Sequence, residues 1–442
     1  MSQLLLDVCV VQSPELLGKH VSTAIGSLRR GDRAGAETTY RSVLAAHPRH
    51  ASVWINLAAL AVGLGDAAAG RAHAQQVLVL DARNVDAWIN FGVASWYTNQ
   101  RRDAERAMLK ALALSPGLET PALNLAKIWQ GVQRHDLAAR MLDEALAHNP
   151  GSCRLHQARA GVARLTGDVD GTRKHASSAL AALLPALAPA RGESGPPLSE
   201  ARLEAERERM RATMAATCDR LASAGIDHHL IGGVVLGIVR EGEPFHGDKD
   251  VDINLPVDAD RDRIATLFSE GFTAIRVPDG PDARRWCMGF MDDATGIGVD
   301  LFFPEPAPGG GLRINAGWPD HLAYDYPPCG IGTLAWRGRD WPVPVPLPDY
   351  LASNFGEDWR SPRRSVGTRS FDKRWFDTQV SCPGLVAESV PRAINLVMLR
   401  LLAALLQSQW EKALALCDQM LVHGPIVEVE AVRDRLLSAG IG

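Results

Sequence analysis

The stretch HLIGGVVLGIVREGEPFHGDKDVDINL, residues 229–255, decides how the larger half of this chain is read. It opens on a short apolar run and two glycines, Gly232 and Gly233, passes through Leu236-Gly237-Ile238-Val239-Arg240, and ends in Asp248, Asp250 and Asp252. Strand side chains alternate in direction, so Asp-Val-Asp-Ile-Asn from position 250 puts Asp250 and Asp252 on one face and Val251 and Ile253 on the other. Two carboxylates then stand side by side above an apolar floor. Like charges that close destabilise one another and strands are poor in aspartate, so the pattern asks for a compensating cation; carboxylate oxygens suit a hard divalent one. A second acidic strand follows, where Gly298-Val299-Asp300-Leu301-Phe302-Phe303 repeats the alternation with one carboxylate inserted. A lone aspartate on a strand is most often a solvated edge residue. Paired glycines, an arginine, three closely spaced acids and a distant strand aspartate form a combination that an edge strand does not require.

In this order the segments resemble the LicD/fukutin-type transferases, a family of the nucleotidyltransferase fold shared with DNA polymerase β. The family's Gly-Gly turn, LLGxxR helix and D-x-D-x-D strand correspond here to Gly232-Gly233, to Leu236-Gly237 with Arg240, and to Asp248, Asp250 and Asp252. Residues 346–360, PLPDYLASNFGEDWR, are similar to its closing segment of prolines, a helix and a Gly-x-x-Trp end, so the resemblance spans roughly residues 198–377. Two positions depart from the pattern: Val234 stands where a hydroxyl is common, and Gly247 where an aromatic precedes the first acid.

The resemblance implies a mixed-sheet domain in which Asp248, Asp250, Asp252 and Asp300 serve a Mg2+ or Mn2+ ion, with Asp250, Asp252 and Asp300 as the catalytic acids. Asp300 would also take the proton of an attacking hydroxyl. Gly232 and Gly233 would let backbone amides approach a donor phosphate, and the planar fork of Arg240 would contact it. The donor implied is a cytidine diphosphate-linked alcohol such as CDP-choline or CDP-ribitol, and the acceptor a sugar hydroxyl of a glycan or polysaccharide precursor. Transfer of a whole nucleotide from a nucleoside triphosphate to a small acceptor is the alternative within the same fold. A different class of reading, a repeat-protein adaptor with a silent transferase-like domain, is suggested by Val234 and Gly247.

Upstream, the chain repeats. Frames set at 17, 51, 85, 119 and 153 share a 34-residue spacing, the tetratricopeptide period. In the third frame Trp88, Phe91-Gly92, Ala104, Ala111 and Pro116 fall at the fourth, seventh, eighth, twentieth, twenty-seventh and thirty-second places. Trp54, Leu57-Ala58, Gly65 and Ala74 follow it in the second, and Leu125-Ala126, Trp129, Ala138, Ala145 and Pro150 in the fourth. Small residues at the eighth and twentieth places let two antiparallel helices approach closely. No single pair buries its own apolar face, so the repeats must stack. Their concave face is expected to take a protein or peptide partner, although no stripe of basic residues at repeat spacing names a carboxylate clamp.

The remaining features set the limits. The 442 residues carry a net charge of −4 and a pI near 6.4, so no basic field points to nucleic acid. Seven cysteines without C-x-x-C spacing fit reduced thiols of a cytoplasmic protein and offer no zinc site. The apolar run LLLDVCVV near the start is interrupted by Asp7 and lacks preceding basic residues, against a signal peptide, and no unbroken apolar run is expected to span a membrane. The proline-rich residues 183–200 read as a linker. Ser199 is expected to cap a helix ending at Gly225, and residues 258–271 to form an amphipathic helix with Ile264, Leu267 and Phe268 inward. Strands are expected through Thr273–Arg276, Arg285–Met291 and Ile297–Phe303, with residues 304–311 a loop and His321, Tyr324, Asp325 and Tyr326 available to an acceptor pocket. A weak frame at Ile394 places Ala413, Met420 and Pro425 at the twentieth, twenty-seventh and thirty-second places, with a capping helix from Val427. The fold expected is therefore α plus α/β. It comprises an N-terminal extension (1–16), a tetratricopeptide α-solenoid (17–184), a linker (185–198), a nucleotidyltransferase-like mixed-sheet domain (199–385) and a degenerate, repeat-like helical tail (386–442).

Overall fold

The computed structural model describes residues 6–10, 23–24, 27, 32–189, 199–245, 248–276, 286–316, 319–361 and 378–441. Its contacts form two compact units, residues 3–166 and, in the main, residues 167–442. In the first unit the helices keep the sequence frames: α1 (Arg33–Ala46), α2 (Ala51–Gly63), α3 (Ala67–Leu80), α4 (Val85–Tyr97), α5 (Arg101–Leu114), α6 (Glu119–Gly131), α7 (His135–His148) and α8 (Cys153–Leu165). First helices begin at 51, 85, 119 and 153 and second helices at 33, 67, 101 and 135, each 34 residues after the last. This is a tetratricopeptide solenoid. The first helix of the frame at 17 lies largely outside the described residues.

Local chemistry explains the strict period. Asp32, Asp66, Asn84 and Ser152 each cap a helix start by accepting an amide N–H three residues on, which satisfies donors the helix cannot. The fourth-place rings close the turns between repeats: the indoles of Trp54 and Trp88 donate to the carbonyls of Pro48 and Ala82, each at 2.9 Å. The small residues carry out the expected close approach. A β-carbon on Gly92 would lie 2.8 Å from Met108 Cε and 3.3 Å from the Ala104 carbonyl, and one on Gly70 would lie 3.0 Å from the Ala58 carbonyl. Around these contacts Ile89, Val93, Met108, Leu125 and Leu142 are fully buried.

The second unit begins with α9 (Val169–Leu183), capped by Asp168, which by register is the second helix of the fifth frame. After α10 (Glu200–Ser223), capped by Ser199, come β1 (His229–Leu230), α11 (Gly232–Glu241), β2 (Asp250–Asn254), α12 (Arg261–Leu267), β3 (Phe272–Arg276), β4 (Cys287–Asp292) and β5 (Gly298–Phe302). The five strands form one mixed sheet in the order β1-β2-β5-β4-β3, with β2 and β5 parallel and the other neighbours antiparallel. Met210, Met214, Cys218 and Leu221 of α10 join Val251, Ile253, Val299 and Leu301 in its core. Beyond it lie a three-stranded sheet of β6 (Glu305–Pro306), β7 (Leu312–Ala316) and β8 (Leu322–Tyr326), a hairpin of β9 (Gly330–Trp336) and β10 (Arg339–Val345), and α13 (Leu347–Phe355).

Three expectations are corrected. Residues 304–311, expected as a loop, include the two residues of β6, which pair with Arg313 and Leu312 of β7. The helix expected over 258–271 is only the seven residues of α12, because the Asp260 carboxylate caps it late, accepting from the amides of Asp262 and Arg263, and the chain leaves it through Gly271 at φ +75°. Ile264 and Phe268 are buried as expected, while Leu267 is half-buried. The start of the linker is ordered: α9 runs to Leu183 and Leu187 is buried, while residues 190–198 lie outside the described ones.

The tail is α14 (Thr378–Ser381), α15 (Val390–Leu406), α16 (Trp410–Leu421) and α17 (Val427–Ser438). With the frame at Ile394, α16 starts at the seventeenth place, as every second helix of the solenoid does. The tail docks on α9. Asn395 receives Arg173 Nε at 2.6 Å and donates to the Val169 carbonyl at 2.8 Å, and the Arg435 guanidinium donates to the Leu187 carbonyl. The sheet domain is thus inserted, in sequence, between two helices that pack together. Residues 387–406 are long and apolar enough to cross a membrane by composition, yet most of that stretch is buried inside the protein and it includes Arg392 and Arg400.

Asn395→Ala removes both bonds and leaves a half-buried guanidinium without its acceptor, so a loss of about 1–3 kcal/mol is expected. A urea titration followed by far-UV circular dichroism measures it; an unchanged midpoint would mean that the tail does not rest on this contact.

Candidate metal centre

The site begins as a consequence of strand register. In the parallel pair β2 and β5, Asp252 stands opposite Asp300 and Asp250 opposite Gly298. Val251 and Ile253 on one strand and Val299 and Leu301 on the other are fully buried, which turns the three aspartates to the opposite face. One oxygen from each of Asp250, Asp252 and Asp300 lies within 4.8 Å of the others, with Asp250 the most exposed of the three. A β-carbon on Gly298 would lie 3.3 Å from that of Asp250, so the glycine leaves room beside the carboxylate. An all-oxygen donor set this compact fits a hard divalent cation of the Mg2+ or Mn2+ type.

The glycines act differently from a simple turn. Gly232 opens α11 at φ +70°, and a β-carbon there would lie 2.5 Å from Asp252 Oδ2. Only glycine accepts both the left-handed backbone and the approach of the carboxylate. The Gly232 amide donates to the hydroxyl of Tyr350 at 2.9 Å, so it is engaged within the fold; Gly233 follows in the first turn of the helix. Val234 is buried in the core cluster of the domain, which accounts for an apolar residue where a hydroxyl is common. Gly247 lies outside the described residues.

Tyr350, within the PLPDY segment, is a residue that sequence reading did not single out. Burial, and behind it the nearby charge of Asp252, holds its hydroxyl above the ordinary tyrosine range, so it stays protonated. Its oxygen receives Asn354 Nδ2 at 3.4 Å, and Asn354 Oδ1 accepts from the Tyr326 hydroxyl at 3.2 Å, a buried chain that fixes the Gly232 corner.

Asp248 and Arg240 fall outside the cluster. Asp248 Oδ2 is enclosed without a hydrogen-bond partner among the described residues. Burial, then the charge of Asp250, pushes this carboxyl well above the usual range. Arg240, expected at a phosphate, is instead a brace: its side chain is 5% exposed, it lies 4.8 Å from the centre of the Phe245 ring, and it donates to the Trp359 carbonyl at 3.3 Å and to Glu241 at 2.9 Å. It lines a cleft with Val239, Leu351 and Trp359, whose walls include none of the aspartates. Gly237 has a matching reason, since a β-carbon there would lie 2.9 Å from the Glu243 carbonyl of the returning loop. The Leu-Gly-x-x-Arg segment therefore seats the loop that leads to the acids.

The candidate acceptor residues are also used structurally. Asp325 holds Arg313 through two bonds of 2.6 and 2.8 Å, Tyr324 and Tyr326 are packed in the domain, and the His321 ring lies 4.7 Å from that of Trp286. At the end of β2, His229 and Asn254 pair across β1 and β2, with Asn254 Nδ2 3.2 Å from His229 Nε2. Burial, with the His228 charge a lesser cause, lowers the His229 pKa to about 4. All seven cysteines are free thiols.

No protein-family model matches the chain, and comparison with curated proteins gave no match. Among solved structures it is similar to MamA (22% identity, TM-score 0.32, 36% of this chain and 93% of that one). It is also similar to the thermophilic TPR protein TTC0263 of Thermus thermophilus (15%, 0.34, 38% and 91%) and to PilW, a widely conserved type IV pilus biogenesis factor (17%, 0.35, 39% and 79%). These likenesses cover well under half of the chain; the repeat assignment stands on the helix register.

Gly232→Ala forces a methyl onto Asp252 and strains the backbone, so metal affinity is expected to fall at least tenfold and stability by about 1–2 kcal/mol. Calorimetric titration with Mn2+ measures the first; undiminished affinity would remove Gly232 from the site. The folded protein keeps His229 neutral down to about pH 4, whereas the unfolded chain takes up the proton near 6.5. The unfolded chain binds more protons in that window, so stability falls as pH drops through it. Denaturation at pH 7 and pH 4.5 should show His229→Gln losing less than the native protein over this range, by up to about 3 kcal/mol.

Proposed function

We propose that the chain joins a tetratricopeptide interaction module to a Mg2+- or Mn2+-dependent transferase domain of the LicD/fukutin type, which moves a phospho-alcohol group from a CDP-linked donor to a glycan hydroxyl. The observation that carries the proposal is the convergence of Asp250, Asp252 and Asp300 within 4.8 Å across two parallel strands. A divalent ion held by these oxygens supplies positive charge to the phosphates of the donor.

The protein's own residues do the remaining work. Asp250 and Asp252 present their oxygens from one strand face. Asp300 receives the proton of the acceptor hydroxyl as its oxygen bonds to the phosphorus that carries the alcohol. The bond from that phosphorus to the bridging oxygen breaks, and CMP leaves with the electron pair. Such transfer asks for positioning and charge more than for covalent chemistry. Gly233 lies in the first turn of a ten-residue helix, where backbone amides favour an anion. Tyr350, through Gly232, positions the strand-to-helix corner against Asp252.

A second reading, a repeat adaptor whose sheet domain is silent, is favoured by a specific pair of observations: the Arg240 guanidinium and the Gly232 amide are both engaged within the fold. Nucleotide transfer from a triphosphate is the runner-up within the enzyme class. The protein incubated with Mg2+ and either CDP-choline, CDP-ribitol or each nucleoside triphosphate, plus glycan acceptors, separates all three. CMP release supports the proposal, pyrophosphate release the runner-up. Asp250→Asn is expected to lower turnover at least a thousandfold with an unchanged circular dichroism spectrum. No nucleotide product with any donor, together with no metal binding, would leave the adaptor.

A further inference from the structure

The concave side of the solenoid already holds a peptide, and it is the chain's own. Residues 6–10, Leu-Asp-Val-Cys-Val, are gripped through their backbone by two side-chain amides. Asn124 Oδ1 accepts from the Asp7 amide and Asn124 Nδ2 donates to the Asp7 carbonyl, both at 2.8 Å. Asn90 does the same for Cys9, at 2.7 and 2.8 Å, and its Nδ2 also reaches the Ile55 carbonyl at 3.1 Å. The two asparagines occupy the sixth place of successive frames, on α4 and α6, and grip alternate residues of the segment. A side-chain amide that pairs with both the N–H and the C=O of one residue satisfies that residue's backbone as a neighbouring strand would, and independently of its side chain.

Side chains supply the selectivity. Leu6 is 8% exposed and belongs to the apolar cluster of Ile89, Val93 and Leu123, with its amide on the Tyr97 hydroxyl at 3.2 Å. The Asp7 carboxylate faces two cations, Lys127 at 3.6 Å and the guanidinium of Arg154. Val10, at the other end, is exposed. The groove therefore reads an apolar residue followed by an aspartate in an extended backbone.

We infer that this groove is a receptor for an extended peptide of apolar-Asp pattern on a partner protein, and that residues 6–10 are an internal ligand which such a peptide must displace. The inference rests on the reading of the repeats as an interaction module and adds to it the chemistry of the partner and the means of control. Displacement is competitive: a partner segment gains only what exceeds the local concentration of the tethered one. The amide clamp contributes equally to both, so discrimination falls on the leucine and the aspartate.

The test uses the full chain and a fluorescent peptide of sequence LLLDVCVV. In Leu6→Glu/Asp7→Lys both side-chain anchors of the internal segment are gone, and the peptide is expected to bind at least tenfold more tightly than to the native protein. Adding Asn90→Ala and Asn124→Ala is expected to abolish that binding, and a peptide with lysine at its aspartate is expected not to bind. Alkylation of Cys9, followed by mass spectrometry, reports release directly and is expected to be at least tenfold faster in the double variant. Equal binding to native and variant proteins, with Cys9 alkylated at equal rates, would overturn the internal ligand while leaving the groove a receptor. No binding to a variant whose Cys9 has been released would overturn the receptor itself. Native self-association that the double variant abolishes would place the segment in a second copy's groove and also overturn the inference.

Discussion

The parallel pairing of β2 with β5 is the constraint on which the site depends. Strand alternation alone puts Asp250 and Asp252 on one face, but only this register sets Asp252 beside Asp300. A shift of one residue on either strand would turn aspartates into the apolar core and bring Val251 or Val299 outward, so burial of the valines and convergence of the acids are enforced by the same pairing. The neighbouring structure is subordinate to it. Gly232 yields space to the Asp252 carboxylate, Tyr350 holds the Gly232 amide, and Arg240 fixes the loop by which the chain returns to β2.

The solenoid obeys a simpler rule. The repeats share what two helices need in order to touch, small residues at two facing places, and several add a capping acceptor such as Asp66 or a ring that closes the turn such as Trp88. Because those needs are local, they recur at a fixed interval and the repeats form by nearest-neighbour contact. The sheet domain is the opposite case, since its central strands are joined by pairings between residues almost 50 positions apart. It is held by one continuous core that runs from Met210 to Trp359.

This difference accounts for what could be read in advance. The frames of the repeats were legible because small residues recur at fixed places for a local physical cause, and first helices do begin at 51, 85, 119 and 153. Asp250, Asp252 and Asp300 were legible as strand acids from alternation, although their meeting is a property of the register. Arg240 was misread because a sequence shows a guanidinium but not the Phe245 ring and Trp359 carbonyl that enclose it. Tyr350 was overlooked because its partner, Gly232, is 118 residues away. The segment around Asp7 read only as an interrupted apolar run, since the asparagines and cations that give it meaning stand on α4, α6 and α8.

The packing of α15 on α9 has a topological outcome. The two helices flank the whole sheet domain in sequence and are bound to each other through Asn395, Arg173 and Val169. The sheet domain is thus an excursion of the chain between two helices that touch: Asn395, shortly after the chain returns, meets Val169 and Arg173 at the start of the helix from which the chain set out. The helices on either side are thereby one structural element that sequence order has parted.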